Sequence, residues 1–269
     1  MSQLPDPPAL IPAPRPWGEV LRVALPACLA AWLCVLAGFL IPTELDRGGA
    51  LAELAYWVSF SGKELLAGVG FLGALLLLAR EGGRRRTPQV ELFGVLFGFA
   101  LFIGGGALFN EYAIKRIAQV PRPYVLELER TGLLGMSPSE FYALGGKEER
   151  RVHLRKVLTA EARPDLRPRV REHWVIETGF SFPSGHSFAA FCCAAFFLAL
   201  GLSLPLRLKP LLFVLPPWAL GVCLSRIVLG VHSAKDVTLG SALGIGFGLF
   251  GAYLTRKVLY EPTPVDEER

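Results

Sequence analysis

Apolar residues along this chain gather into six blocks, most close to the ~20 residues a helix needs to cross the hydrocarbon core of a bilayer. The blocks run from Arg22 to Ile41, Leu65 to Ala79, Leu92 to Ile114, Ser187 to Ser203, Leu211 to Gly230 and Val237 to Leu259. The second is short unless Tyr56 to Gly62 adds a turn or two. The pattern predicts an all-α integral membrane protein of six transmembrane helices, organised as a single membrane-embedded domain over 1–269. Between the third and fourth blocks lies one long polar insertion, residues 124–176. A proline-rich leader, Met1 to Pro16, precedes the first block, and Pro42-Thr43-Glu44 follows it without an A-x-A-like cleavage site. That block is therefore read as a membrane helix and not as a cleaved signal.

Composition fits this reading. Hydrophobic residues make up 52% of the chain and charged residues only 19%, with a mean hydropathy of +0.43. A soluble domain of this length normally carries more charge. Cys28, Cys34, Cys192, Cys193 and Cys223 all fall inside predicted helices, so no disulfide is expected. There is no internal repeat, no nucleotide-binding glycine loop and no zinc spacing. The net charge of +5 follows from membrane topology and does not point to nucleic acid.

Charges in short loops orient the helices, because cytoplasmic loops collect Lys and Arg. Arg80, Arg84, Arg85 and Arg86 follow the second block, Arg207 and Lys209 the fourth, and Arg256 and Lys257 the sixth. Arg15 and Arg22 put the N-terminus on the same side. The first opposite loop carries Glu44, Asp46 and Glu53 against Arg47. Both termini are thus expected in the cytoplasm.

This threading carries three polar clusters to the non-cytoplasmic interface: Lys115-x6-Arg122-Pro123, Pro183-Ser184-Gly185-His186, and Ser225-Arg226-x5-His232-x3-Asp236. One composite site is the simplest account. Transfer of a phosphoryl group develops negative charge on its equatorial oxygens, and fixed cations there stabilise the transition state. Lys115, Arg122 and Arg226 suit that role, the arginine forks for bidentate contact. Ser184 and the Gly185 N–H open the fourth helix, where free amides attract anions. His232 lies four residues before Asp236, so at a helix head the two share a face. A carboxylate on one imidazole N–H presents the other nitrogen as nucleophile. His186, beside the cradle, would protonate the departing oxygen and then activate water. Each feature has a plainer reading by itself. Lys115 and Arg122 suit snorkelling anchors, a lone His232 suits a structural role, and His186, His232 and Asp236 could ligate a metal, although three neighbouring cations argue against one. His153 and His173 lack comparable context and are read as surface residues.

The triplet resembles the signature of the type-2 phosphatidic acid phosphatase family, K-x6-R-P, P-S-G-H and S-R-x5-H-x3-D, with every defining position filled. The resemblance runs from about Asn110 to Pro262 and includes the stretch Trp174 to Phe182. It implies a cofactor-free phosphatase of the bacterial inner membrane, with its active site facing the periplasm. The implied reaction is hydrolysis of the terminal phosphate of phosphatidylglycerophosphate, undecaprenyl diphosphate or phosphatidate-type lipids, through a phosphohistidine on His232. The expected partners are the lipid phosphate substrate and membrane lipids. Two other classes stay open: a lipid phosphotransferase using the same intermediate, and a transporter, which lacks the paired broken helices with midplane charges.

Within the insertion, Ser137-x-x-Glu140 predicts a capping box opening a short helix, and Gly145-Gly146 interrupts the chain. Glu148 to Glu161 predicts a basic helix carrying Arg150, Arg151, Arg155 and Lys156. Such a helix would lie on anionic headgroups, shade the site, or be solvated. Gly94-x3-Gly98, Gly240-x3-Gly244 and Gly244-x3-Gly248 permit close helix contact, expected within one subunit.

Overall fold

The computed structural model describes residues 12–42 and 45–261. The start of the proline-rich leader, Thr43 and Glu44 of the first loop, and the stretch from Pro262 onward lie outside the described residues. Among the described residues the regular elements are helical. In chain order they are α1 (Trp17–Val35), extended by a 3-10 turn (Leu36–Leu40), then α2 (Ala50–Ser61), α3 (Leu66–Leu78), α4 (Pro88–Phe109), a π-helical turn (Asn110–Ile114) and α5 (Lys115–Ala118). The insertion supplies α6 (Pro123–Arg130), α7 (Pro138–Ala143), α8 (Lys147–Val157) and α9 (Pro168–Ile176). There follow α10 (Gly185–Ser203), α11 (Lys209–Leu212), α12 (Leu215–Val228) and α13 (Ala234–Tyr260).

Five stretches among the described residues are long and apolar enough to cross a membrane: Trp17–Leu40, Pro88–Arg130, Gly185–Ser203, Lys209–Val228 and Ala234–Tyr260. α2 and α3 meet the same test only as a pair, bent by 57°. The short second block thus acquires not a turn or two but a whole preceding helix, and the polar run Gly62-Lys63-Glu64 breaks the two apart. Counting that pair as one broken span gives up to six. The chain is a multi-pass membrane protein.

The bundle is built around α10, whose side chains from Ala190 to Leu202 are all buried. Its main neighbour is α13. A Cβ at Gly240, Gly244 or Gly248 would run into the backbone carbonyls of Ser184, Phe188 and Cys192 in turn. The small-residue stripe therefore lets two backbones of the same chain touch. Helix association in lipid relies on such van der Waals packing, since the hydrophobic effect does little there. Phe99 of α4 adds ring contacts to Phe196 and Phe197 at 5.6 and 5.0 Å. On its other side α4 exposes Phe93, Phe97, Leu101 and Leu108, as a lipid-facing surface would.

The insertion has its own core, in which Tyr124, Leu128, Phe141, Leu154, Val170 and Trp174 pack together and against Ala52, Val228 and Leu229 from the ends of α2 and α12. α7 opens on the capping box expected from Ser137 and Glu140, both reciprocal bonds being formed. α8 starts one residue before the expected basic helix and ends at Val157, after Gly145 has turned the chain at φ +104°. These anchors fix α8 beside the mouth of the site.

Candidate active site

Backbone bonds stitch the three sequence clusters together pairwise. Ser181 N–H donates to Val120 O at 2.9 Å, Tyr124 N–H to Gly230 O at 3.0 Å, and Ser184 N–H to Asp236 O at 2.9 Å. Residues 52 to 106 positions apart are thereby held at one end of the bundle. The third span reaches this end through the π-helical turn, a widened turn often found at functional sites. Asn110 Nδ2 in that turn donates to Pro183 O at 3.4 Å. Glu111 then lies one turn before Lys115, and the two side chains pair at 2.9 Å.

Arg122 caps α6 in extended backbone, as a residue before proline prefers. Its guanidinium is nearly completely buried and fully used. Nε donates to Gly179 O at 2.8 Å, Nη1 to Val231 O at 3.0 Å, and Nη2 pairs with Glu177 Oε2 at 2.8 Å. Nη1 also lies 3.2 Å from His232 Nε2. A guanidinium has only donors, so Nε2 must accept, and the proton of this imidazole sits on Nδ1. Nδ1 faces Asp236 Oδ2 at 3.5 Å and has no hydrogen-bond partner. Asp236 is the third residue of α13, where Oδ2 accepts Ser233 N–H at 2.6 Å in a capping box. His232 and Asp236 face each other as expected, but across a gap longer than a hydrogen bond, so the contact that favours the Nδ1–H tautomer comes from Arg122.

Arg226 is fully buried in the last turn of α12. It donates through Nη1 to Ser59 Oγ at 2.6 Å and to His173 Nε2 at 2.8 Å, and Nη2 pairs with Glu177 Oε1 at 3.1 Å. Ser184 is the N-cap of α10, and its buried hydroxyl accepts Ser187 N–H at 3.4 Å and Ser187 Oγ–H at 2.9 Å. It stands behind the site wall, while Gly185 and His186 face a cavity of about 760 Å³. Glu111, Lys115, Arg122, Glu177 and His232 share that wall, together with Lys63, Lys147 and Arg151. All eight candidates thus sit at one end of the bundle. Six of them, Lys115, Arg122, Gly185, His186, Arg226 and His232, meet the cavity directly or through Glu177.

Burial, followed by the positive charges of Arg122, Arg226 and Lys115, holds the His232 imidazole well below its ordinary value. It is neutral at pH 7, with its Nε2 lone pair taken up by Arg122 Nη1–H. Burial alone would raise the Glu177 carboxyl, yet Arg122 and Arg226 outweigh it and keep the group well below the usual carboxylate range. Glu177 is therefore ionised, and both its oxygens are held by arginines.

The sequence reading missed three residues of this cluster. His173, expected on the surface, turns inward because Trp174 beside it is buried and donates from Nε1 to Leu229 O at 2.7 Å. That contact lays α9 along the end of α12. Burial and then the Arg226 charge push His173 down to about 3, so it is a neutral acceptor. His153 is half-buried in the insertion, with Nε2 2.9 Å from Leu134 O. Glu177 carried only a weak signal, as the sole charged residue between Trp174 and Phe182. Glu111 was visible through its four-residue spacing to Lys115. Among the described residues, no three of His, Cys, Asp and Glu are grouped to hold a metal ion.

Residues 92–260 match the PAP2 superfamily. The phosphatidylglycerophosphatase B of Escherichia coli is 35% identical over 177 residues, which cover 66% of this chain and 65% of that protein. The chain thus spans just under two thirds of that relative's length. The Haemophilus influenzae protein of the same name is 27% identical over 239 residues, covering 85% of this chain and 94% of its own. The Bacillus subtilis protein of that name is 39% identical over 87 residues, 31% of this chain and 40% of its own.

Proposed function

The chain belongs to the PAP2 superfamily, and on that footing we propose that it is a membrane lipid phosphatase working through a phosphohistidine on His232. The observation that carries this reading is the grip of Arg122 and Arg226 on one anion, Glu177, beside His232 Nε2 at the wall of a large cavity. A phosphate monoester entering that grip takes the arginine contacts from Glu177. Arg122 then turns from His232 Nε2 to a phosphate oxygen, releasing the lone pair. Nε2 attacks phosphorus in line with the lipid oxygen, forming the P–N bond as the P–O bond breaks. His186, protonated once the dianion brings its charge into the cavity, gives its proton to the departing oxygen. Asp236 balances the phosphoimidazolium through Nδ1–H. The neutral His186 next takes a proton from water, whose oxygen attacks phosphorus and returns His232, with release of inorganic phosphate. Lys115, Arg122 and Arg226 neutralise the equatorial oxygens, Gly185 offers its N–H at the head of α10, and Ser184 holds that head in place.

The substrates proposed are phosphatidylglycerophosphate, undecaprenyl diphosphate or both, with phosphatidate-type lipids as further candidates. Similarity to the three phosphatidylglycerophosphatase B proteins supports the first of these. Protein cations take the place a metal would fill, so turnover should survive EDTA; loss that a divalent ion restores would refute this. The loop charges favour an inner-membrane protein, a single domain with residues 124–176 as a periplasmic insertion and its site on the outer side. Ser139→Cys, exposed in α7, should react with an impermeant thiol reagent in intact spheroplasts, and silence there would reverse the topology. The deciding experiment quenches purified protein during turnover. An acid-labile, base-stable phosphoprotein and free inorganic phosphate are expected. A phosphorylated lipid acceptor in place of phosphate would identify the phosphotransferase alternative.

A further inference from the structure

The cavity wall holds two carboxylates, each caught between two cations. Glu177 lies between Arg122 and Arg226, whose side chains are 3% and 0% exposed. Glu111 lies between Lys115 Nζ at 2.9 Å and Lys147 Nζ at 2.5 Å, and the Lys147 side chain is 55% exposed. The second triad is therefore the outer one. Arg151, one helical turn beyond Lys147 on α8, lines the same cavity. It pairs through Nη1 with Glu148 at 3.1 Å, while its Nε is buried without a hydrogen-bond partner. Lys63, at the break between α2 and α3, completes the ring and is paired only loosely with Glu64 at 3.5 Å. Lys63, Lys147 and Arg151 thus line the cavity around the Glu111–Lys115 pair, and the phosphoryl-transfer chemistry needs none of the three. A buried donor with no acceptor favours an anion that supplies one.

We propose that this outer cluster is a subsite for a second phosphate on the substrate, with Lys147 and Arg151 of the insertion as the residues that set specificity. The proposal rests on the reading of the site as a lipid phosphatase. The reacting phosphate takes the inner triad, and the second phosphate takes Lys147 from Glu111 and satisfies Arg151 Nε. The ligand class is a lipid bearing two phosphates, either contiguous as a diphosphate or separated by a polyol.

The test compares purified wild type with Lys147→Ala and Lys147→Arg in one detergent, on phosphatidate, phosphatidylglycerophosphate and undecaprenyl diphosphate. Lys147→Ala should raise KM about tenfold for a two-phosphate lipid, with kcat little altered and KM for phosphatidate within about twofold. Lys147→Arg should restore most of the loss. An effect confined to one of the two-phosphate lipids still supports the subsite and shows which spacing it accepts. Equal changes on phosphatidate, or no change on any lipid, would overturn it. Wild type that releases phosphate from none of the three would instead remove the phosphatase reading beneath it.

Discussion

Glu91 and Glu177 lie toward opposite ends of the bundle, each between two arginines, and the comparison separates a strut from a site. Glu91, in the first turn of α4, pairs with Arg80 at 2.7 Å and Arg84 at 2.6 Å and is completely buried. Arg80 also lies over the Tyr260 ring at 5.6 Å, and the nearby cavity, lined by Arg80 and Tyr260, is only about 10 Å³. This triad ties α4 to the loop behind α3. Glu177 has the same two-arginine grip but opens on about 760 Å³, with His232 and His186 on the wall. One arrangement of charge is packed between helix and loop, and the other opens on a large cavity. Access, more than the ion pair itself, makes the difference.

The largest effect should come from the chemistry that only the open end carries. His232→Ala should cut phosphate release on the order of 10⁴-fold while inorganic phosphate still binds, because the arginine grip remains. Substantial residual turnover would remove His232 as nucleophile. His186→Ala should slow turnover by roughly 10²- to 10⁴-fold on a lipid leaving group. The loss should be much smaller on an aryl phosphate, whose oxygen leaves without a proton; equal losses would count against its role as acid.

The two carboxylates themselves sharpen the contrast. Glu91→Ala removes the buried carboxylate that Arg80 and Arg84 share and should destabilise the detergent-solubilised protein by about 3 kcal/mol, read as a fall in its thermal midpoint. Glu177→Gln should cost less stability, since the amide keeps the side chain's shape and one acceptor oxygen. It should also tighten inhibition by inorganic phosphate about tenfold. If phosphate inhibits this variant no better than wild type, Glu177 does not stand in the phosphate position.

The smallest effect is a shift in titration. Because burial and three nearby cations depress His232, its imidazole in the phosphate-free protein should remain neutral as pH falls through the ordinary value of about 6.5. Phosphate in the grip adds negative charge, which favours the imidazolium and moves the titration upward. NMR of ring-labelled histidine, with His232→Ala to assign the signal, reads both. A free-state titration at 6.5 would mean the cations do not act on it.

How much of this was legible in the chain varies by element. The helices α4, α10, α12 and α13 were clear because long apolar runs have little alternative in lipid, and the glycine stripe on α13 was clear from its spacing. α2 was not, since Asp46, Glu53 and Lys63 around it read as loop and the helix qualifies for the membrane only together with α3. Lys115, Arg122, Arg226 and His232 stood out through rare residue types at fixed intervals. Glu177 and His173 did not, because a single charge or histidine carries no period, and only the packing of Trp174 turns their segment inward.

The order of residues by itself determined the helical class, the grouping of three polar clusters at one end of the bundle, and the chemistry those clusters can supply. These follow from hydropathy, loop charge and side-chain type, which are local properties. Only the tertiary structure decided that Glu177 already occupies the grip of Arg122 and Arg226, that Arg122 sets the His232 tautomer, and that α8 carries Lys147 to the cavity wall. Each of these depends on atoms brought together from segments roughly 40 to 110 residues apart, and no local rule of sequence reaches that far.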